Sequence, residues 1–561
     1  MLPMTKGTMA KAKASKKELI ADIQAVAGKN RAITRAEYIL NGQFKKSYET
    51  YFETFEQFRA AAKLVAPKDL ADGKQRVAER KEPLPDAGKI SRYIISSAQN
   101  NTKVHKEFWA NLKALAAHYD AKIMIGTFSY NQNQYGKLAV KRGKQADHES
   151  TLWFDADIEQ YLNDERVELA PGLVWCGDQN IMPTEENPLS GLESFAHGKS
   201  AIFPHTKIEM RSIAVPEGMP VKMNYTTGAV TQLNYIQKKA GLKAEHHHRY
   251  SFLLVEVDDQ GTWFVRQVSA RKNGRNLQDL NVEVEDGVVV STDATVDAIT
   301  WGDLHATNSQ PEVVDASQIM LDTLHPKYQF IHDVMEGVSI NRHYIKAAPL
   351  PHLFFHRWLR GLHRVEDELK RTRATAERYL RPWVTTVAPD ANHDAAWLQS
   401  WLNKYDYRFD PANAEIFLRL QLFMYEQIRS GKLPKNVNIM QRVMETEAGM
   451  KPGAMKFLLP DESFVVGEIE CGQHGHLGPN GNFGNPANLS KIGKKMTTAH
   501  THSAGIYHGL FVAGTSSKLT EGWDYTSGPS SWGWSHVVQY SNGQRTIVTM
   551  KLVDGAARWR A

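Results

Sequence analysis

The sequence predicts an α/β protein whose C-terminal part alternates strands and helices, preceded by a small helical module and a second α/β domain. Three observations carry this reading. From about residue 91 onward, short β-type apolar runs alternate with stretches of helical spacing, the order of strand–helix–strand units. From Thr295 onward, strand-like runs end in clusters of Asp, Asn and His. Residues 1–64 carry only helical spacing and turn signals.

A chain of 561 residues exceeds the usual single-domain size, so several domains are expected. With 42% hydrophobic and 23% charged residues the composition is ordinary for a globular protein, and collagenous, mucin-like or wholly disordered chains are excluded. No apolar run reaches the ~18 residues of a membrane span, so no membrane partner is expected. The basic start MLPMTKGTMAKAKASKKELI lacks the apolar core of a secretory signal. Cys176 and Cys471 are the only cysteines, which fits a reducing compartment, and the cytoplasm is the expected location. Oligomeric state is not readable.

Residues 1–17 read as a flexible basic arm and residues 18–64 as a helical module. Leu19, Ile20, Ile23 and Val26 form one helical stripe. Thr34 with Glu37 starts a second short helix, and Tyr48, Phe52, Phe55 and Phe58 mark a third. The first 90 residues hold 18 Lys and Arg against 11 Asp and Glu, a net of +7, so the remaining chain sums to about −1 and the basic end suits a polyanion. Arg31, Arg35, Lys45 and Lys46 are the candidate DNA contacts. The stretch around Ile33-Thr34-Arg35, the Gly42 turn and Phe52/Phe55/Phe58 resembles the small DNA-binding repeats found beside homing endonucleases. A plain helical cap with these aromatics as core is the alternative.

Residues 65–90, with three prolines and two glycines, read as a linker. The α/β domain at 91–290 has no assigned role. It opens with a strand at Arg92–Ser97, a helix at about 103–118 and a strand at 122–126, a βαβ unit. A hairpin is expected around Asp258-Asp259-Gln260-Gly261. His246-His247-His248 are expected on a strand as a surface cluster, since adjacent strand residues alternate faces. No internal repeat is visible in the sequence.

The chemistry-bearing clusters lie in residues 291–561. A strand at Val296–Trp301 leads into Asp303-Leu304-His305, and a strand at Tyr328–Ile331 leads into His332-Asp333. A basic helical region at about 352–381 precedes the strand Trp383–Val387, which leads into Asn392-His393-Asp394. The run Ser463–Ile469 leads into His474-Gly475-His476, and Ala499-His500-Thr501-His502 closes the set. Strand C-termini are where open α/β sheets place ligands. Oxygen and imidazole donors bind divalent cations, and a pair of such ions clamps a phosphate and supplies an activated water.

In this order the clusters resemble the motifs of the calcineurin-like metallophosphoesterase superfamily, over roughly residues 295–561. The resemblance implies a two-sheet metallophosphoesterase sandwich with one metal on Asp303, His305, Asp333 and His502. A second would sit on Asp333, Asn392, His474 and His500, and His393 would be the catalytic non-ligand. Two divalent ions are implied, Mn²⁺ first, with Mg²⁺, Fe²⁺ or Zn²⁺ as alternatives. His332, Ala391 and Ala499 stand where the family pattern has glycine, which implies altered loops. His474 is chosen over His476 on its His-Gly pair. Asn341, Arg342, His343 and His476 are candidate substrate contacts, and Gly478–Asn485 is a loop beside the site. A hairpin around Ser541-Asn542-Gly543 is expected to complete the second sheet.

The layout resembles large phage-encoded phosphoesterases, including early DNA-degrading proteins of lytic phages, which implies the host-cell cytoplasm. The leading expectation is a metal-dependent deoxyribonuclease with DNA as partner. The alternatives are a phosphodiesterase or phosphatase acting on a nucleotide or phosphoprotein, and a DNA-binding regulator without turnover.

Overall fold

The computed structural model describes residues 14–28, 33, 38–39, 41–64, 79–130, 153–341, 351–521, 523 and 526–561. The protein is a mixed α/β fold with two facing β-layers. One layer is an 11-stranded sheet. The other combines a four-stranded and a six-stranded sheet, which lie edge to edge through Trp263–Ser269 and Arg545–Thr549.

Alternation decides which face each residue serves. Along Ile90–Gln99, Tyr93 and Ile95 point between the layers, while Ile94 and Ala98 meet the helix Lys106–His118. A sheet covered on both faces needs continuously apolar strands, and Ser251–Asp258 is buried along its whole length. Burying one such Val, Leu or Phe contributes about 1.5–3 kcal/mol. The expected βαβ unit is present, with Ile94 opposite Ile123 in parallel register. So is the hairpin, where the Asp258 carboxylate accepts from the N–H groups of Gln260 and Thr262.

The six-stranded sheet runs in the order Lys456–Phe457, Thr385–Ala388, Tyr328–Phe330, Ala298–Thr300, Ser535–Gln539, Arg545–Thr549. The first four strands are parallel, so their C-terminal ends share one rim. Helices Pro311–Leu324, Val365–Glu377, Trp397–Lys404 and Ala414–Arg429 cover its outer face through Val313, Met320, Leu369, Trp401 and Phe417.

Several elements differ from the sequence expectation. The hairpin around Asn542 joins the six-stranded sheet, because Ser535–Gln539 pairs with Ala298–Thr300; Gly505–Tyr507 and Leu510–Val512 extend the facing sheet instead. His246 and His247 end the helix Lys239–His247, and His248 turns inward, where its Nδ1 lies 2.7 Å from the Tyr235 hydroxyl. Arg80–Lys81, inside the expected linker, is a strand paired with Arg166–Ala170. Arg211 and Gly505, from either side of the boundary expected at residue 290, are paired within one sheet. The basic region is two helices, Pro351–Leu359 and Val365–Glu377, with Gly361 between them at φ +65°. Arg357 there is buried and donates to the carbonyls of Val338 and Ser339.

In the N-terminal module, Ser15 and Glu18 form a capping box on the helix Lys16–Ala27. The third expected helix is a 3₁₀ turn, Lys45–Thr50, followed by Phe55–Ala61. Tyr38, Tyr48, Phe52, Phe55 and Phe58 are buried against one another as the module's own core. Among the described residues no helix is long and apolar enough to cross a membrane.

Candidate metal centre

Five strand ends converge between the layers. Ala298–Thr300 delivers Asp303 and His305, Tyr328–Phe330 delivers Asp333, and Thr385–Ala388 delivers Asn392 and His393. From the facing sheet, Ile469–Glu470 delivers His474, and Met496–Thr498 delivers His500 and His502. Gly302 allows the first turn, because a Cβ there would lie 2.7 Å from the Thr515 nitrogen. Asn392 and His393 open a single π-helical turn, Asn392–Ala396, a local widening common at functional sites.

The backbone is strained where the donors sit. His305, Asp333, His500 and His502 have φ of 44°, 40°, 74° and 56°, the left-handed region. For residues other than glycine this costs on the order of 1 kcal/mol each, and it persists only where the surroundings over-determine it. Ala391 is extended at φ −135°, and neither His332 nor Ala499 has positive φ. None of the three positions that depart from the family pattern therefore needs glycine here; the unusual torsion falls on the donor that follows in two of them.

All seven expected donors lie in one patch. The donor atoms of Asp303, His305, Asp333 and His502 lie within 4.8 Å of one another, and so do those of Asp333, His474 and His500. Asp333 thus belongs to both groups. His305 Nε2 and His502 Nε2 face each other at 2.9 Å, and His502 Nε2 is 3.2 Å from Asp303 Oδ2. His474 Nε2 lies 2.9 Å from Asn392 Oδ1 and 3.3 Å from Asp333 Oδ2. His476 falls in neither group: its ring lies 5.4 Å from that of His474, and its Nε2 is 3.7 Å from an Asp390 carboxylate oxygen.

Electrostatics favours cations. Burial, and then the charge of Asp333, pushes the Asp303 carboxyl well above the usual carboxylate range. Among the described residues no side-chain donor is aligned to bond either of its oxygens. Two carboxylates sharing a buried pocket are relieved by a divalent ion between them. Burial also raises Asp333, but His474, His393 and His305 outweigh it and hold that carboxyl well below its ordinary value. Burial keeps His305 and His474 well below the usual imidazole range and His502 at about 4, so all three are neutral at pH 7, the form that ligates metal. The donor set of carboxylate, amide and neutral imidazole fits divalent cations.

His393 is held beside this set. Its N–H donates to Asp333 Oδ1 at 3.1 Å, its Nδ1 donates to the Glu336 carbonyl at 2.7 Å, and its ring stacks on Trp397 at 3.8 Å. Glu336 escaped the sequence reading, although it follows Asp333 by three residues. It is buried, with a carboxylate oxygen 2.7 Å from His305 Nδ1, and it groups with His305 and His393. Asp394, read in its cluster without a role, accepts from the N–H groups of Val334 and Met335; Trp523 and Trp532, packed 5.1 Å from His305 and 4.3 Å from His502, went unread.

The remaining candidates scatter. Asn341 is buried just past the turn Val338–Ile340, while Arg342, His343, Arg31 and Arg35 lie outside the described residues, as do the side chains of Lys45 and Lys46. The loop at 478–485 is a set of tight turns: the Gly484 N–H donates to the His476 carbonyl at 2.9 Å, and a Cβ on Gly484 would overlap the Gly475 carbonyl.

Comparison with known proteins adds one relation. Protein A1 of Escherichia phage T5 is 35% identical to this chain over 472 residues, 82% of each protein. The chain belongs to the Protein A1 family. A phage relative is consistent with the phage-encoded layout read from the sequence. No family model and no solved structure matches the chain. Within the A1 family, this chain therefore presents a buried group of Asp and His side chains able to hold divalent metal.

Proposed function

We propose that the protein is a metal-dependent deoxyribonuclease of the metallophosphoesterase type, using two divalent ions, Mn²⁺ first, in the host-cell cytoplasm. The observation that carries this reading is Asp333, shared between two donor groups with His393 bonded to it. The ions, when bound, supply Lewis acidity and an activated water to a phosphoester. The chain's own residues do the rest. Asp333 holds both groups in register, and its contact with the His393 backbone fixes the distance between donor set and acid. The Glu336 carbonyl accepts a hydrogen bond from the Nδ1–H of His393, so Nε2 is the atom that delivers a proton to the departing sugar oxygen.

The DNA substrate rests on the basic N-terminal region and on the family layout. Because the module's aromatics are used in its own core, a nucleotide or phosphoprotein ester is the second reading. Purified protein incubated with linear and circular DNA, with and without Mn²⁺, separates the two. Cleavage that needs Mn²⁺ and disappears in Asp333→Ala and His393→Ala supports the nuclease. Intact DNA alongside hydrolysis of a small aryl phosphodiester sinks it.

A further inference from the structure

The two halves of the sandwich share a common strand order, to which the second half adds Thr385–Ala388 and Lys456–Phe457. In the second half, Ala298–Thr300 pairs in parallel with Tyr328–Phe330 across a helix and antiparallel with Ser535–Gln539, which turns back into Arg545–Thr549. In the first half, Ile90–Gln99 pairs in parallel with Ala121–Phe128 across a helix and antiparallel with Ser251–Asp258, which turns back into Trp263–Ser269.

The 11-stranded sheet repeats the correspondence. Val465–Val466, Ile469–Glu470, Met496–Thr498, Gly505–Tyr507 and Leu510–Val512 have counterparts in the same chain order: Arg166–Ala170, Leu173–Cys176, Ser200–Phe203, Met210–Ile213 and Lys222–Thr226. Each corresponding pair of neighbours has the same sense. Ten of its strands are therefore in palindromic order, with Arg80–Lys81 an eleventh at one edge, and at their centre Met210–Ile213 pairs antiparallel with its own counterpart, Gly505–Tyr507. In the other layer Trp263–Ser269 lies beside its counterpart Arg545–Thr549. Contact of a strand with its own equivalent is the isologous contact of a two-fold dimer.

Register carries the donor positions across. With the last paired residues of these strands aligned, Phe203 and Thr226 on Thr498 and Val512, His500 and His502 fall on His205 and Lys207. By the same register His474 maps onto Asp178. Each counterpart is tied up internally: Asp178 pairs with Arg166 at 3.1 Å, His205 lies 3.1 Å from the Met182 carbonyl, and Lys207 pairs with Glu209 at 3.6 Å. No Asp, Glu or His occurs in residues 92–104 or 121–130, where counterparts of Asp303 and Asp333 would fall.

The first half also reaches the metal centre. Val215 and Ser530 exchange two backbone hydrogen bonds of 2.9 Å, and the Ser212 hydroxyl donates to the Ala504 carbonyl at 2.8 Å. The segment so held carries Trp532, 4.3 Å from the His502 ring, and Gly533, whose N–H donates to the His502 carbonyl at 3.1 Å.

We propose that residues 79–270 are a metal-free twin of the metal-binding unit, acting as a built-in second subunit whose hairpin positions Trp532 and His502. This rests on the metal-centre reading but not on which ester is cut. Isothermal titration of the full chain with Mn²⁺ tests it, with circular dichroism and thermal melting as controls of folding. Val215→Pro, which removes one bridge donor, and Ser212→Ala are expected to weaken Mn²⁺ binding, by about 10-fold or more for Val215→Pro. The Asp303→Asn/Asp333→Asn double variant is expected to lose all tight Mn²⁺ binding. Wild-type affinity in both twin variants, or in Ser212→Ala alone if Val215→Pro fails to fold, overturns the positioning role. A tight site surviving in the double variant overturns the metal-free twin. A wild-type chain that binds no divalent cation sinks the metal-centre reading itself, a separate outcome.

Discussion

Glu336 joins two roles at the centre of the site, with its carboxylate against His305 and its carbonyl on His393. Partners behind a ligating histidine fix its ring and raise its basicity. Glu336→Gln is expected to lower Mn²⁺ affinity about 10–100-fold while leaving the melting temperature near wild type. Titration calorimetry reads the first and a thermal melt the second. Unchanged affinity would show that His305 is held by other contacts. The four donors at positive φ make a related point at the same scale. Their torsions are held by the two sheets that clamp the loops; Asp and His enter that region several-fold more often than most residues, yet too rarely for residue type alone to place them there.

At the scale of elements, the strands Ser251–Asp258 and Trp263–Ser269 hold a buried charge group. Arg266 bonds Asp279 and Glu256 at 2.6 Å each, and Arg92 bonds Glu256 at 2.9 Å. Removing the central cation takes from buried Asp279 its guanidinium partner and leaves Glu256 with Arg92, so Arg266→Met is expected to destabilise the fold by about 3–5 kcal/mol, read as a lower midpoint in denaturant. A shift under about 1 kcal/mol would place those carboxylates in contact with water. The helical module is a separate element with its own aromatic core. Deleting residues 1–64 is expected to weaken DNA binding and flatten its dependence on salt, since fewer phosphates are neutralised. An unchanged salt slope would remove the module from the DNA interface.

The whole molecule is expected to be acid-sensitive. Burial holds His205 at about 4 and His248 at about 3, below the ordinary 6.5 of an unfolded histidine. Between those values the unfolded chain binds more protons than the folded one, so stability is full above pH 6.5 and falls as pH drops toward 4. For His205 alone the loss is about 3 kcal/mol. Melting temperature measured from pH 7 to pH 4.5 should fall steadily, and the fall should be shallower in His248→Gln. A flat profile would mean both rings reach solvent.

Much of this protein was legible from local chemistry. Strand–helix alternation, the βαβ unit at residues 90–128, the hairpin at Asp258 and the donor clusters after strands all follow from side-chain period and residue type, which neighbours in sequence carry. What only the tertiary structure decided depends on distance in space. The pairing of Arg211 with Gly505, the inward turn of His248, the placing of Glu336 behind His305 and the two-fold order of the sheet join residues far apart in the chain or hide in backbone hydrogen bonds. A backbone ladder fixes strand sense and register without fixing side chains, so two halves can keep one topology after their sequences have diverged beyond recognition. The sequence by itself named Asp and His side chains able to hold divalent metal; the fold decided that they meet, and that the strand order around them recurs beside them.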